Sequence, residues 1–224
     1  MFCVRLMQHD LSSDPLNVEN LLETRINAAI QLRNNLGLPS STTNAFRLVN
    51  SEGLIVDVFG DLAVVASSAA WVEKYKEYIL KCISQFDLIK NVVWRPSIEI
   101  LKEEGLDLAL PDQDLSTSTN QTVKIVENGI SYIISLDGQK TGFYADQREN
   151  RQFLSTISDG QRVLDMCCYT GGFALNAARG HALEVTGVDS SSPALELANQ
   201  NIALNNLDPG RISFLKQDAT AFMK

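Results

Sequence analysis

The stretch from Arg162 to Asp189 constrains this chain most. It reads RVLDMCCYTGGFALNAARGHALEVTGVD. Val163 to Cys167 is a short apolar run of the kind that forms a strand buried on both faces. Tyr169-Thr170-Gly171-Gly172 supplies a glycine turn, Phe173 to Arg179 resumes at helical spacing, and Gly180 is placed to end that helix. A second apolar run, Glu184 to Val188, stops at Asp189. Strand, glycine turn, helix, strand and acid make the opening unit of a Rossmann-type nucleotide site. Paired glycines let backbone approach a ligand closely, and an acid at the second strand's tip can accept both ribose hydroxyls. Asp189 follows Gly171 by 18 residues, against the ~20 expected of that acid.

The turn lacks the third glycine of the pyrophosphate fingerprint G-x-G-x-x-G. Asp165, inside the first strand, would repel phosphate but suits the cationic amino-acid end of S-adenosyl-L-methionine (AdoMet). AdoMet is therefore the expected cofactor, ahead of NAD. The bland alternative is that Gly171-Gly172 only allows tight helix–strand packing.

The 224 residues allow one large domain or two small ones, and a hydrophobic share of 45% suffices for a real core. A net charge of −8 argues against a free-standing nucleic-acid binder, though not against a local basic groove. Cysteines stand at 3, 82, 167 and 168. They make no zinc pattern, so no metal is expected. Cys167 reads as a small packing residue and Cys168 as a neighbour of the cofactor turn. This usage suggests a reduced compartment, read as cytoplasmic with an organelle left open. No apolar run approaches 18 residues, so no membrane is expected.

Ahead of the key stretch, Phe2 to Met7 reads as a strand, Asp14-Pro15 as a helix start, and Leu16 to Leu36 as a helix with Leu22, Ile26, Ala29, Ile30 and Arg33 on one face. Phe46 to Val49, Leu54 to Phe59 and Leu62 to Ser67 read as strands, the last two joined at Gly60-Asp61. Trp71 to Gln85 reads as one amphipathic helix and Leu88 to Trp94 as a strand. Ile98 to Leu110 is ambiguous and Asp112 to Asn120 a polar loop. Asn128-Gly129 between two β-prone runs is a strong hairpin signal. Residues 1–136 thus form an α+β module rich in antiparallel pairing, and 137–224 the nucleotide-binding part of an α/β chain. The run Asp137 to Arg151 is glycine-punctuated and rich in hydrogen-bonding side chains. It is either a site segment or a solvated linker in which Asp146 caps a helix over Gln147 to Ile157. Ser190 to Pro193 caps a helix through Asn205, and Arg211 to Lys216 is a third strand. Asp218, just beyond, either reads an adenine amino group or caps a helix over Ala219 to Met223.

Two stretches carry a recognisable pattern: KTGFYADQRENR over Lys140 to Arg151, and VLDMCCYTGGF over Val163 to Phe173. Together they resemble the class I AdoMet-dependent methyltransferases of the ribosomal RNA large subunit methyltransferase I type, which make 5-methylcytosine in 23S rRNA. Arg5-Leu6, Asn44 to Asn50 and Leu54 to Asp57 match that family's central domain. The resemblance implies an α+β central domain followed by a Rossmann-like domain with strand order 3-2-1-4-5-7-6. It implies ribosomal RNA as substrate and leaves a homodimer open. It also implies site roles. Asp165, Cys167, Tyr169, Thr170, Gly171, Gly172 and Phe173 would cradle the methionine part. Asp189 would hold the ribose and Asp218 would lie at the adenine. Gln147 and Arg148 would close the methionine end.

Three departures accompany it. The chain starts after the family's usual RNA-binding PUA domain. Ser51-Glu52-Gly53 replaces a longer glycine-rich loop. The chain stops at Lys224, before the Asp-Pro-Pro motif and catalytic cysteine. Cytosine carbon 5 becomes nucleophilic only after a thiolate adds at carbon 6. Cys167 and Cys168 lie in the cofactor turn, so no catalytic residue is assigned. The chain alone is expected to be an inactive half with its first methyltransferase strand an apolar edge. The competing expectations are a non-catalytic AdoMet- or RNA-binding module and an oxidoreductase.

Overall fold

The computed structural model describes residues 17–107 and 121–224. The strand at Phe2–Met7, the Asp14-Pro15 start and the loop at 112–120 lie outside these residues. The chain divides into two compact units, 1–40 with 45–119, and 41–44 with 120–224. Among the described residues no helix is long and apolar enough to cross a membrane.

The first unit opens with α1 (Val18–Asn35), started by Asn17, whose side chain accepts the Asn20 N–H. Leu22, Ile26 and Ile30 recur at helical spacing and are buried. They join a core built on strands β1 (Ala45–Ser51), β2 (Leu54–Phe59) and β3 (Leu62–Ser67). These strands pair antiparallel in sequence order, and Arg47 meets Asp57 across β1 and β2 in a two-point ion pair of 2.9 and 3.1 Å. The helix expected over 71–85 is two helices, α2 (Ala70–Lys74) and α3 (Lys76–Ser84). One backbone bond ends at Tyr75 (its N–H to Trp71 O) and the next starts from it (Ile79 N–H to Tyr75 O), and Tyr75, at φ −105° and ψ 19°, leaves helical geometry between them. This pair crosses over to β4 (Asn91–Pro96), which lies parallel to β3 and is the unit's one parallel step among the described residues. The ambiguous stretch after it opens with α4 (Ile98–Glu103), and its last residues, 108–110, lie outside the described ones.

The second unit begins with the hairpin β5 (Thr122–Glu127) and β6 (Ile130–Ser135). Asn128 (φ 49°) and Gly129 (φ 74°) are both left-handed, as a two-residue turn of this hand requires. After α5 (Arg148–Ile157) comes β7 (Arg162–Met166), α6 (Gly172–Arg179), β8 (Glu184–Asp189), α7 (Ser192–Leu204), β9 (Ile212–Lys216) and the short α8 (Ala219–Phe222). The three strands are parallel in the order β7-β8-β9. This is the helix-linked parallel sheet that the alternation of runs predicts. One feature differs. β7 is not buried on both faces: it pairs only with β8 among the described residues, and Leu164 is 46% exposed. The cap position of α5, expected at Asp146, is held by Gln147, and Asp146 lies in the 3-10 turn before it.

The hairpin belongs to the second compact unit, so the border between units falls before the expected one at 136/137. Two asparagines on α7 explain this. Asn201 Oδ1 accepts the Ile133 N–H at 2.7 Å, and Asn205 Oδ1 accepts the Ser131 N–H at 2.8 Å while its Nδ2 donates to Ser131 O at 2.7 Å. Residues four apart on a helix thus meet residues two apart on a strand edge, and the carboxamides stand in for a missing strand. Asn201 is fully buried and also donates to Thr170 O. Asn201→Ala is expected to cost about 2 kcal/mol in chemical denaturation, because buried backbone groups lose their partners. A cost near zero would show that the clamp is incidental.

Candidate cofactor site

The turn after β7 is built from left-handed backbone. Cys167 (φ 59°), Tyr169 (φ 50°) and Gly171 (φ 79°) all lie in that region. Only the last is a glycine, so the first two conformations need support. Support comes from β8. The Cys168 N–H bonds Val188 O at 3.0 Å, and the Tyr169 N–H bonds Asp189 Oδ2 at 2.8 Å. The other Asp189 oxygen accepts the Ser191 N–H at 2.8 Å. The acid at the tip of β8 therefore ties the turn to the sheet, leaving further lone pairs on both oxygens.

Gly171 is the N-cap of α6 and has no side chain to cap with. Asp165 supplies the missing acceptor from inside β7: its Oδ2 takes the Ala174 N–H at 2.9 Å. A Cβ on Gly171 would come within 2.7 Å of Phe214 and 2.8 Å of Leu175, so this glycine meets both a conformational and a steric demand. Burial pushes the Asp165 carboxyl up to about 6, opposed by the Ala174 N–H and reinforced by the charge of Asp189.

Beside the turn lies a cavity of about 190 Å³, lined by Phe143, Tyr144, Gln147, Arg151, Cys167, Cys168, Tyr169, Thr170, Gly172 and Phe173. Its wall is aromatic, with the Tyr144 and Tyr169 rings edge to face at 5.7 Å. Behind the wall is a buried ion pair. Arg151 Nε and Nη2 donate to the two oxygens of Glu127, each at 2.7 Å.

Six residues singled out from sequence line the cavity: Gln147, Cys167, Tyr169, Thr170, Gly172 and Phe173. Gly171, Asp165 and Asp189 act behind them, through the turn and the cap. Arg148 is not among the lining residues and pairs with the exposed Glu149. Asp218 caps α8, accepting the Ala221 N–H at 3.0 Å, as its helix-cap alternative predicts. Cys168 lies at the cofactor turn as expected, while Cys167, expected to pack as a small hydrophobe, does not. Cys168 is buried and Cys167 exposed, because the left-handed Cys167 turns its side chain away while Cys168 continues the pairing with β8. Burial pushes the Cys168 thiol up, as do the charges of Asp165 and Asp189. Phe143, Tyr144 and Arg151 line the cavity without having been given a site role, and Cys168 joins them from the turn it was read as neighbouring. The first three sit in the hydrogen-bond-dense run from Lys140 to Arg151, which was the available signal.

Comparison with known proteins agrees with this geometry. Residues 110–222 match the family described as S-adenosylmethionine-dependent methyltransferase. The ribosomal RNA large subunit methyltransferase I of Alteromonas mediterranea is 36% identical over 87% of this chain and 50% of its own length. That of Erwinia tasmaniensis is 32% identical over 89% and 52%. The chain thus spans about half the length of the relatives it matches. A Streptococcus mutans protein described as a SAM-dependent methyltransferase superposes with a TM-score of 0.74 at 24% identity, over 94% of this chain and 55% of that one. A structure of a methyltransferase complexed with SAH matches equally well.

Proposed function

The chain belongs to the S-adenosylmethionine-dependent methyltransferases, and from that premise we propose that it serves the methylation of cytosine carbon 5 in ribosomal RNA, with AdoMet held at the turn after β7. One observation carries the substrate: the level of identity to the ribosomal RNA large subunit methyltransferase I proteins over most of this chain.

The residues fit the cofactor. About 190 Å³ is less than the ~300 Å³ at the lower end of whole small-molecule sites, which suits an amino-acid end entering the cavity with the nucleoside lying outside. When bound, AdoMet supplies an electrophilic methyl group on a sulfonium. Asp189 has lone pairs left for ribose hydroxyls beyond its two backbone bonds. Asp165 offers its second oxygen to an ammonium group.

Incubation with radiolabelled AdoMet and unmodified 23S rRNA, followed by nucleoside analysis, tests the proposal. Label in 5-methylcytosine is the expected result. Label in another nucleoside would overturn the assignment of the base. A second reading, that these 224 residues bind AdoMet without transferring the methyl group, is favoured by the placement of the thiols. Of the described cysteines, Cys168 is buried and its thiol pushed up, Cys82 sits in the core of the first unit, and Cys167, though exposed, stands in the cofactor turn itself. Cofactor binding without transfer supports it, and transfer by the chain alone ends it.

Asp165 makes binding depend on pH. Its folded value, about 6, lies above the ordinary 3.8. Its contribution to stability is therefore full below about 4 and is lost as pH rises through about 6. An ammonium ligand needs the ionised form, so affinity for S-adenosylhomocysteine is expected to rise across that window. Asp165→Asn keeps an acceptor for the Ala174 N–H and is expected to flatten both profiles. Calorimetry at about pH 5 and pH 7.5 reads this; an unchanged slope in the variant would remove Asp165 from the ligand's surroundings.

A further inference from the structure

Arg151 is 2% exposed, and the hydrogen bonds of its guanidinium can be accounted for. The group carries five N–H donors. The Nε and one Nη2 donor go to Glu127, at 2.7 Å each, and the other Nη2 donor goes to Tyr144 O at 2.9 Å. The two donors of Nη1 have no acceptor among the described residues. Nη1 is not among the buried atoms left without a partner; Arg151 lines the 190 Å³ cavity, and Nη1 is the edge of its guanidinium that remains for a ligand there.

The group is also held still. It stacks on Phe143 at 4.5 Å and lies 5.8 Å from the Phe173 ring. Gly172 makes room for its stem, since a Cβ there would stand 3.2 Å from Arg151 Cδ. A donor fixed by a two-point ion pair and an aromatic face has little freedom left to lose on binding.

We propose that Arg151 is the anchor for the α-carboxylate of the amino-acid end of the cofactor, presented through Nη1, with the charge of Asp165, behind the turn, favouring the α-ammonium group. The proposal rests on the AdoMet reading above and adds to it the residue that selects the zwitterion. Charge decides the ligand class. Glu127 already neutralises Arg151, so the site offers directed donors with no net positive charge. That favours a carboxylate beside an ammonium over a phosphate, which would also meet Asp165. Arg148, expected from sequence to close this end, does not line the cavity, and Arg151, one helical turn further along α5, does.

The test uses two probes on the 224-residue chain by calorimetry. S-adenosylhomocysteine carries the amino-acid end; 5′-methylthioadenosine lacks it. The wild type is expected to bind the first about 10- to 100-fold more tightly, the range for hydrogen bonds to charged groups. In Arg151→Lys the shorter ammonium stays with Glu127 and presents no second edge. That preference should vanish through weakening of S-adenosylhomocysteine alone. Unchanged affinity for methylthioadenosine shows that the fold and the nucleoside site survive. If Arg151→Lys does not fold, the double variant Arg151→Met with Glu127→Gln removes both buried charges together, and the same loss of preference is expected. Retained preference, or equal weakening of both probes, overturns the anchor. Failure of the wild type to bind either probe overturns the cofactor reading beneath it.

Discussion

Glu127→Ala is expected to lower the stability of the protein by about 3–5 kcal/mol, the cost of stranding one partner of a buried ion pair. Glu127 ends β5 and Arg151 lies on α5; both side chains are essentially inaccessible. Burial alone drives the Glu127 carboxyl up, while the two-point bond to Arg151 works to keep it ionised. Removing the acid leaves a guanidinium without a counter-charge in surroundings of aromatic rings. The exposed pair Arg162 and Glu184 is the control. Its side chains are 78% and 50% exposed, and breaking it is expected to cost at most about 1 kcal/mol. Urea denaturation of Glu127→Ala and Glu184→Ala reads the contrast directly. Similar midpoints for the two variants would show that water reaches the Arg151 guanidinium. Arg151→Met with Glu127→Gln is expected to recover most of the loss, since a buried pair replaced by uncharged side chains of similar volume is often neutral.

Local chemistry made some of this molecule readable from its sequence. The strands β2 and β3 lie where their apolar runs and the Gly60-Asp61 turn put them, and the hairpin follows from Asn128-Gly129. The strand–turn–helix–strand order after Arg162 needed only the spacing of apolar residues and glycines. The unread features depend on partners distant in sequence. Arg151, in the run Arg148-Glu149-Asn150-Arg151, looks like a solvated helix face; it is buried because Glu127 stands 24 residues earlier on a neighbouring strand. Asn201 and Asn205 look like the polar side of α7 and instead hold the edge of β6. The burial of Cys168 and exposure of Cys167 follow from a left-handed residue that no periodicity marks. Asp165 read as a ligand acid, and the structure adds its work as the cap of α6.

Asp189→Asn is expected to weaken S-adenosylhomocysteine binding by at least about 100-fold, or roughly 3 kcal/mol, while costing folding stability less than Glu127→Ala. Each carboxylate oxygen of Asp189 accepts one backbone N–H, from Tyr169 and from Ser191, both at 2.8 Å. An asparagine has a single acceptor oxygen, so one of those N–H groups must face an amide donor. If the Tyr169 side loses, the left-handed residue in the turn is released from the sheet, and the cavity wall it forms with Tyr144 opens. If the Ser191 side loses, the entry to α7 loosens, although Ser191 still caps that helix through the Ala194 N–H. In either case the ribose loses an ionised acceptor, which is the larger part of the expected effect. Asp218→Asn supplies the comparison: its cap of α8 is exposed, and an asparagine caps nearly as well. Equal affinities for Asp189→Asn and the wild type would mean that this carboxylate only braces the turn and that ribose recognition lies elsewhere.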